Sequence, residues 1–167
     1  MKVNEIMTAD PGFCFAVDSL TKAASIMWQR DCGAVPVLDA GNKVIGVITD
    51  RDICVAVASR DLKASQITAG ELCHGEVLSC SPQTEIKKAL KLMRKNQIRR
   101  LPVVSDDGQL TGIVTLADIV NAAGGKKKHK DLSPRKIFSL FEAVSKKPPI
   151  RLLEVSQDED AATEIDT

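Results

Sequence analysis

Tyrosine is absent from this chain of 167 residues, and aromatic side chains make up only 3% of it. Sequence-specific RNA recognition stacks exposed aromatics on bases, so that class has little to stand on here. Histidine is nearly as scarce, with only His74 and His129. Neither has an evident nucleophile or carboxylate partner, and the chain therefore reads as a non-enzyme. No run of about eighteen consecutive apolar residues occurs, so no membrane-spanning helix is expected. The amino terminus, MKVNEIMTADPG, meets acidic residues before an apolar signal core could form. The five cysteines, at 14, 32, 54, 73 and 80, contain no CxxC pair and do not make an even disulfide framework. Cys73 and His74 with Cys80 or Cys14 fit no common metal spacing. Packed, reduced thiols in a cytoplasmic protein are expected, and no metal site is assigned. Charge of either sign is not in excess, since a net +1 gives the whole chain no reason to favour a polyanion or a membrane.

What is present is a globular composition, 44% hydrophobic and 27% charged, and a repeat. VIGVITDRDI at 44–53 is echoed by LTGIVTLADI at 110–119. Pro36 falls on Pro102, Thr49 on Thr115 and Asp52 on Asp118, each 66 residues apart. The same shift lays Lys22, Ala23 and Met27 on Lys88, Ala89 and Met93, and Glu5-Ile6-Met7 on Glu71-Leu72-Cys73. A gapless register of this length marks a duplicated unit. The first unit is taken as 1–64, the second as 65–125, and the remainder as 126–167.

Each unit opens on a short apolar run, FCFAV at 13–17 or EVLSC at 76–80, that suits a strand. A helix is predicted next. Asp18 and Thr84 are its expected caps, and Leu20, Ala23, Ala24 and Met27, or Ile86, Ala89, Leu90 and Met93, recur at helical spacing. AVPVL with KVIGVIT, and RLPVV with QLTGIVT, then read as hairpins turning at DAGN and SDDG. A last helix follows Thr49 or Thr115, the second ending at Gly124-Gly125. Strand, helix, strand, strand, helix in one half-chain is a marginal core alone, so two copies packed sheet against sheet are expected, with equivalent clefts where they meet.

Past Gly125 the composition changes. Residues 126–151 hold nine Lys or Arg against two acids, and 152–167 hold six acids and no base. Such segregation marks a tail, with a solvated basic linker at KKKHK and a disordered acidic end expected. Within it SPRKIFSLFEAV predicts one amphipathic helix over 133–145, capped by Ser133, opened by Pro134, with Ile137, Phe138, Leu140, Phe141 and Val144 on one side. Trp28, where the second unit has Arg94, is expected in a core or a subunit contact.

The repeated Thr-x-x-Asp has two readings. As a capping box it satisfies free backbone amides reciprocally. As a nucleotide site, helix-start amides and the threonine hydroxyl suit a phosphate, and the aspartate suits two ribose hydroxyls. Gly46 and Gly112, three residues before each threonine, would leave space for a flat ring.

With VNEIMT at the start, GAVPVLD and RRLPVVS, and GVITDRDI and GIVTLADI in their places, residues 1 to about 123 resemble the paired cystathionine β-synthase (CBS) domains known as Bateman modules. The resemblance implies an α/β fold: two β-α-β-β-α CBS motifs packed sheet to sheet with pseudo-twofold symmetry, here followed by a C-terminal tail helix. It also implies an adenosine-containing regulatory ligand, an adenine nucleotide (AMP, ADP or ATP) or S-adenosylmethionine, held between the motifs, with no catalytic cofactor. Carried over by position, Asp52 and Asp118 would meet ribose hydroxyls, and Thr49 and Thr115 phosphate. Gly33, Ala34, Val35 and Pro36, with Arg99, Arg100, Leu101 and Pro102, would line the adenine and phosphate side. Arg51 is a further phosphate candidate, matched by Ala117 in the second copy. Strand alternation sends Arg99 and Arg100 to opposite faces, so one of them is expected in a cleft.

The expected function is therefore a ligand-sensing module that signals to a partner by a conformational shift, associated as a homodimer as the resemblance implies. Two alternatives stay open. One is a protein-interaction scaffold with empty clefts whose 133–145 helix docks a partner. The other is nucleic-acid binding through the basic 126–151 segment, although nucleic acid is not the expected partner.

Overall fold

A computed structural model describes residues 1–124 and 132–146. KKKHK at 126–130 and the acidic end both lie outside the described residues. Strand β1 (Thr8–Ala9) is followed by β2 (Cys14–Phe15), helix α1 (Leu20–Gln29), β3 (Ala34–Leu38), β4 (Val44–Thr49) and α2 (Asp50–Arg60). The second copy supplies α3 (Ile86–Asn96), β5 (Arg100–Val104), β6 (Leu110–Thr115) and α4 (Leu116–Gly124), and α5 (Pro134–Ser145) closes the series. The fold is α/β, with two three-stranded sheets ordered β2-β3-β4 and β1-β6-β5. The duplication persists in register: Ala34 pairs with Thr49 as Arg100 does with Thr115, and both hairpins shift register at the same place, Val37/Leu38 and Val103/Val104. Lys43 bridges Gln109, its own counterpart, which marks the pseudo-twofold axis.

The two copies trade the segments that precede them. β1 pairs antiparallel with β6 of the second copy, and Val3 is buried among Ile86, Leu101 and Ile119. Reciprocally, Ile67 and Ala69 are buried with Leu20, Val35 and Ile48 of the first copy. Even single bonds repeat the trade: Leu20 N–H donates to the Ile67 carbonyl at 2.9 Å, and Ile86 N–H to the Met1 carbonyl at 3.1 Å. Val3 and Ile67 each contribute roughly 1.5–3 kcal/mol when fully buried, so neither core is complete without the other copy's leading segment.

Several local expectations are corrected. Ser19, not Asp18, sits at the start of α1 and accepts from Lys22 N–H; Asp18 instead accepts from Phe15 N–H. Likewise Glu85 precedes α3, while Thr84 Oγ1 accepts from Ser81 N–H. EVLSC forms only a single parallel bridge, Cys80 to Val103. The reason is one residue: Ala16 N–H donates to Leu38 O at 2.8 Å, and the residue 66 places on is Pro82, which has no N–H to give. In α5, Leu140 is buried and Ile137 and Val144 pack beside the second core, but Phe138 is 70% and Phe141 56% exposed.

Candidate functional site

Two clefts lie between the copies, and their walls correspond in part at the 66-residue offset: Val47 and Ile113, Thr49 and Thr115, His74 and Thr8, and 76–78 and 10–12 take equivalent places. The smaller, about 360 Å³, is walled by Gly46, Val47 and Thr49, by Cys73, His74 and 76–78, and by residues 97–100 with Pro102. The larger, about 820 Å³, is walled by Ile113, 115–118, Val120 and Asn121, by residues 8–12, and by 30–34 with Arg99 and Arg100. Phe141 of α5 adds to the larger cleft alone.

The Thr-x-x-Asp steps form the capping box in both copies. Thr49 N–H and Oγ1 donate to Asp52 Oδ2 at 2.8 and 2.7 Å, and Asp52 N–H donates back to Thr49 Oγ1 at 3.2 Å. Thr115 and Asp118 repeat this at 2.8, 2.8 and 3.2 Å. Each threonine proton is thus committed to its aspartate, which leaves the second carboxylate oxygen, Oδ1, to accept from a hydroxyl. The capping and ribose readings are compatible, because the cap holds the carboxylate in place with one oxygen to spare.

The two clefts are not chemically equal. Asp118 is half-buried and on the wall of the larger cleft, whereas Asp52 is exposed and is not among the residues that wall the smaller. Asp52 is nonetheless near enough to Cys73 that its charge, after burial, helps raise the pKa of that thiol. At the second position of α2, Arg51 N–H already donates to Asp50 Oδ1 at 2.8 Å. In α4 the acid is replaced by Leu116, so Ala117 N–H, on the wall of the larger cleft, has no such neighbour. A helix-start amide and a positioned carboxylate therefore coincide in the larger cleft.

Arg100 joins the copies, its Nη1 donating to the Gly33 carbonyl at 2.8 Å. Burial foremost, and then Arg99, draws its pKa below the usual arginine value, while Asp50, Asp52 and Cys32 oppose that shift. Arg99 and Arg100 both border both clefts, against the alternation expected for them. Arg99 precedes β5, so strand geometry does not govern it.

Gly33 and Ala34 border the larger cleft and Pro102 the smaller. Val35 and Leu101 are fully buried in the two cores, Pro36 is buried away from both clefts, and Arg51 is exposed outside them. The room over the glycines is taken by chain rather than left for a ring. A Cβ at Gly46 would lie 2.4 Å from Cys73 Sγ, and one at Gly112 2.7 Å from Met7 Sδ. Cys73, His74 and 76–78, with 8–12 opposite, are wall residues that the sequence reading passed over. The offset that lays Met7 on Cys73 carries on through them and would have found them. For Phe141 no sequence signal exists, since its helix lies outside the repeat.

The CBS domain model matches residues 3–59 and 69–125. The chain belongs to the CBS domain family. As a CBS domain pair it is 37% identical to Hypoxic response protein 1 of Mycobacterium tuberculosis over 102 residues, 61% of this chain and 71% of that one. It is 35% identical to the CBS domain-containing protein YhcV of Bacillus subtilis over 117 residues, 70% of this chain and 81% of that one. Among solved structures it is similar to Hypoxic Response Protein I with two coordinated zinc ions (34% identity, TM-score 0.66, 72% of this chain and 97% of that one). It is also similar to the CBS domain pair of protein MJ0100 in complex with 5-methylthioadenosine and S-adenosyl-L-methionine (28%, 0.65, 76% and 98%). A third likeness is CBSX2 in complex with AMP (26%, 0.62, 73% and 95%). Among the described residues of this CBS pair, no group of three or more His, Cys, Asp or Glu side chains is placed to hold a metal ion, and no helix is long and apolar enough to cross a membrane.

Proposed function

We propose that this CBS domain pair is a regulatory module that binds an adenosine-containing ligand, and that the larger cleft fills first. The observation that carries this reading is the half-buried Asp118, held by Thr115 through one oxygen, on the wall of an 820 Å³ cleft beside the Ala117 amide. Small-molecule sites run from about 300 to 1,000 Å³, which puts the smaller cleft near the lower bound. Relatives with AMP, or with S-adenosyl-L-methionine and 5-methylthioadenosine, support the ligand class. In this proposal the Oδ1 atoms of Asp118 and, secondarily, Asp52 accept from ribose hydroxyls. Arg99 and Arg100 neutralise phosphate or carboxylate, and Gly33 and Ala34 face the ligand in the larger cleft. Thr49 and Thr115 act by fixing the aspartates. Filling the cleft favours one arrangement of the copies, with a coupling to the partner of about 1–3 kcal/mol.

Thermal denaturation with AMP, ADP, ATP and S-adenosylmethionine tests this. A ligand at about 100 times its dissociation constant adds about 2.7 kcal/mol of stability. Asp118→Ala should remove most of the gain, and Asp52→Ala should remove it only at higher ligand concentration. No gain with any of the four would favour the scaffold reading, in which α5 docks a protein partner.

A further inference from the structure

We propose that the groove between α3 and α5 is a separate binding site for a small ligand carrying an oligophosphate group. The groove encloses about 620 Å³. Lys87, Lys91 and Arg94 line one bank, and Arg135 and Lys136 the other, with no acidic side chain among the described residues lining it. A spacing of three along α3 puts Lys91 and Arg94 in one stripe, an arrangement that is unfavourable for like charges on a helix face. Packing α5 against α3 then brings two more cations toward that stripe. What holds the helices together is apolar, since Leu90 and Leu140 form the buried floor. The hydrophobic contact therefore sustains a concentration of positive charge that a bound anion would relieve.

The remaining groups in the groove are donors. Ser133 sits at the N-cap of α5, yet its side chain makes no capping hydrogen bond, so its hydroxyl is available at the positive end of a 12-residue helix. Ser139 Oγ accepts from Arg94 Nη1 at 3.4 Å, which ties the banks together. Guanidinium forks, ammonium groups and hydroxyls around one short hollow match several phosphate oxygens close together. The hollow is compact rather than a track, which fits a short phosphate chain better than a nucleic-acid backbone. It is also independent of the family's own clefts: the matched motifs end at residue 125, and α5 lies beyond them.

Tripolyphosphate is the probe for this groove, and adenosine, which has no phosphate, the probe for the clefts. Calorimetric titration of the full chain should show saturable tripolyphosphate binding that weakens with salt. The double variant Lys91→Gln with Arg135→Gln replaces exposed side chains and should keep the wild-type melting temperature. It should bind tripolyphosphate about tenfold more weakly or worse while leaving adenosine binding unchanged. Asp118→Ala should do the reverse. Absence of tripolyphosphate binding, or equal binding by the double variant, overturns the inference whatever adenosine does. A single-stranded oligonucleotide that binds more tightly than tripolyphosphate and loses that affinity in the same variant overturns it in favour of nucleic acid.

Discussion

Cys14 and Cys80 stand 66 residues apart, and each is buried in its own core, at 0% and 8% exposure. Burial, with smaller help from Asp18 and Cys73, pushes the Cys14 thiol up to about 12, and burial alone pushes Cys80 up to about 11, from an ordinary value of 9.0. The folded protein therefore keeps these protons at a pH where the unfolded chain gives them up. Stability from this source is intact below pH 9 and is lost as pH rises from 9 toward 11 and 12. Melting temperature followed across that interval should fall less steeply in Cys14→Ala with Cys80→Ala than in the wild type. An unchanged slope would mean that other groups govern alkaline unfolding. Cys54, exposed on α2, should meanwhile react with a maleimide at neutral pH, long before either core thiol does.

At the scale of elements, much was legible because two copies vouch for each other. The helical stripes, both hairpins and the Thr-x-x-Asp caps follow from residues that recur at one offset, and Asp118 and Thr115 on the cleft wall came with them. The trade of leading segments did not. A repeat is unchanged whether residues 1–9 cover their own sheet or the other, so periodicity is silent on that choice. The glycines decide it, since Gly46 admits Cys73 and Gly112 admits Met7 to contact that a methyl group would forbid. Gly46→Ala should thus lower the stability measured by urea denaturation by about 1–3 kcal/mol. Its added Cβ would meet Cys73 Sγ at 2.4 Å and Cβ at 2.9 Å, but Cα only at 3.6 Å. Combining it with Cys73→Gly should therefore cost less than the two single changes together. Strict additivity would show that the segment does not press on β4.

The whole molecule leaves its one tryptophan in water. Trp28 is 88% exposed on α1, so the core placement is ruled out and a surface contact remains. Val17 before the same helix is 84% exposed, and Val55 on α2, which packs beside α1, is 54% exposed. A bare indole forfeits the burial of a side chain worth 150–250 Å², which association could recover. The homodimer that the resemblance to paired CBS domains implies would gain most if that surface met its twin, because a twofold contact sets the same residues against each other. Light scattering should then report twice the 18.0 kDa chain mass. Trp28→Glu, which places like charges opposite one another in such a contact, should return the mass to that of the single chain without lowering nucleotide-induced stabilisation at saturating ligand. Because no second tryptophan competes, the emission maximum reads this surface directly. It should shift to the red on dilution as the dimer parts, and a maximum that stays at the position of exposed indole at every concentration would place the contact elsewhere.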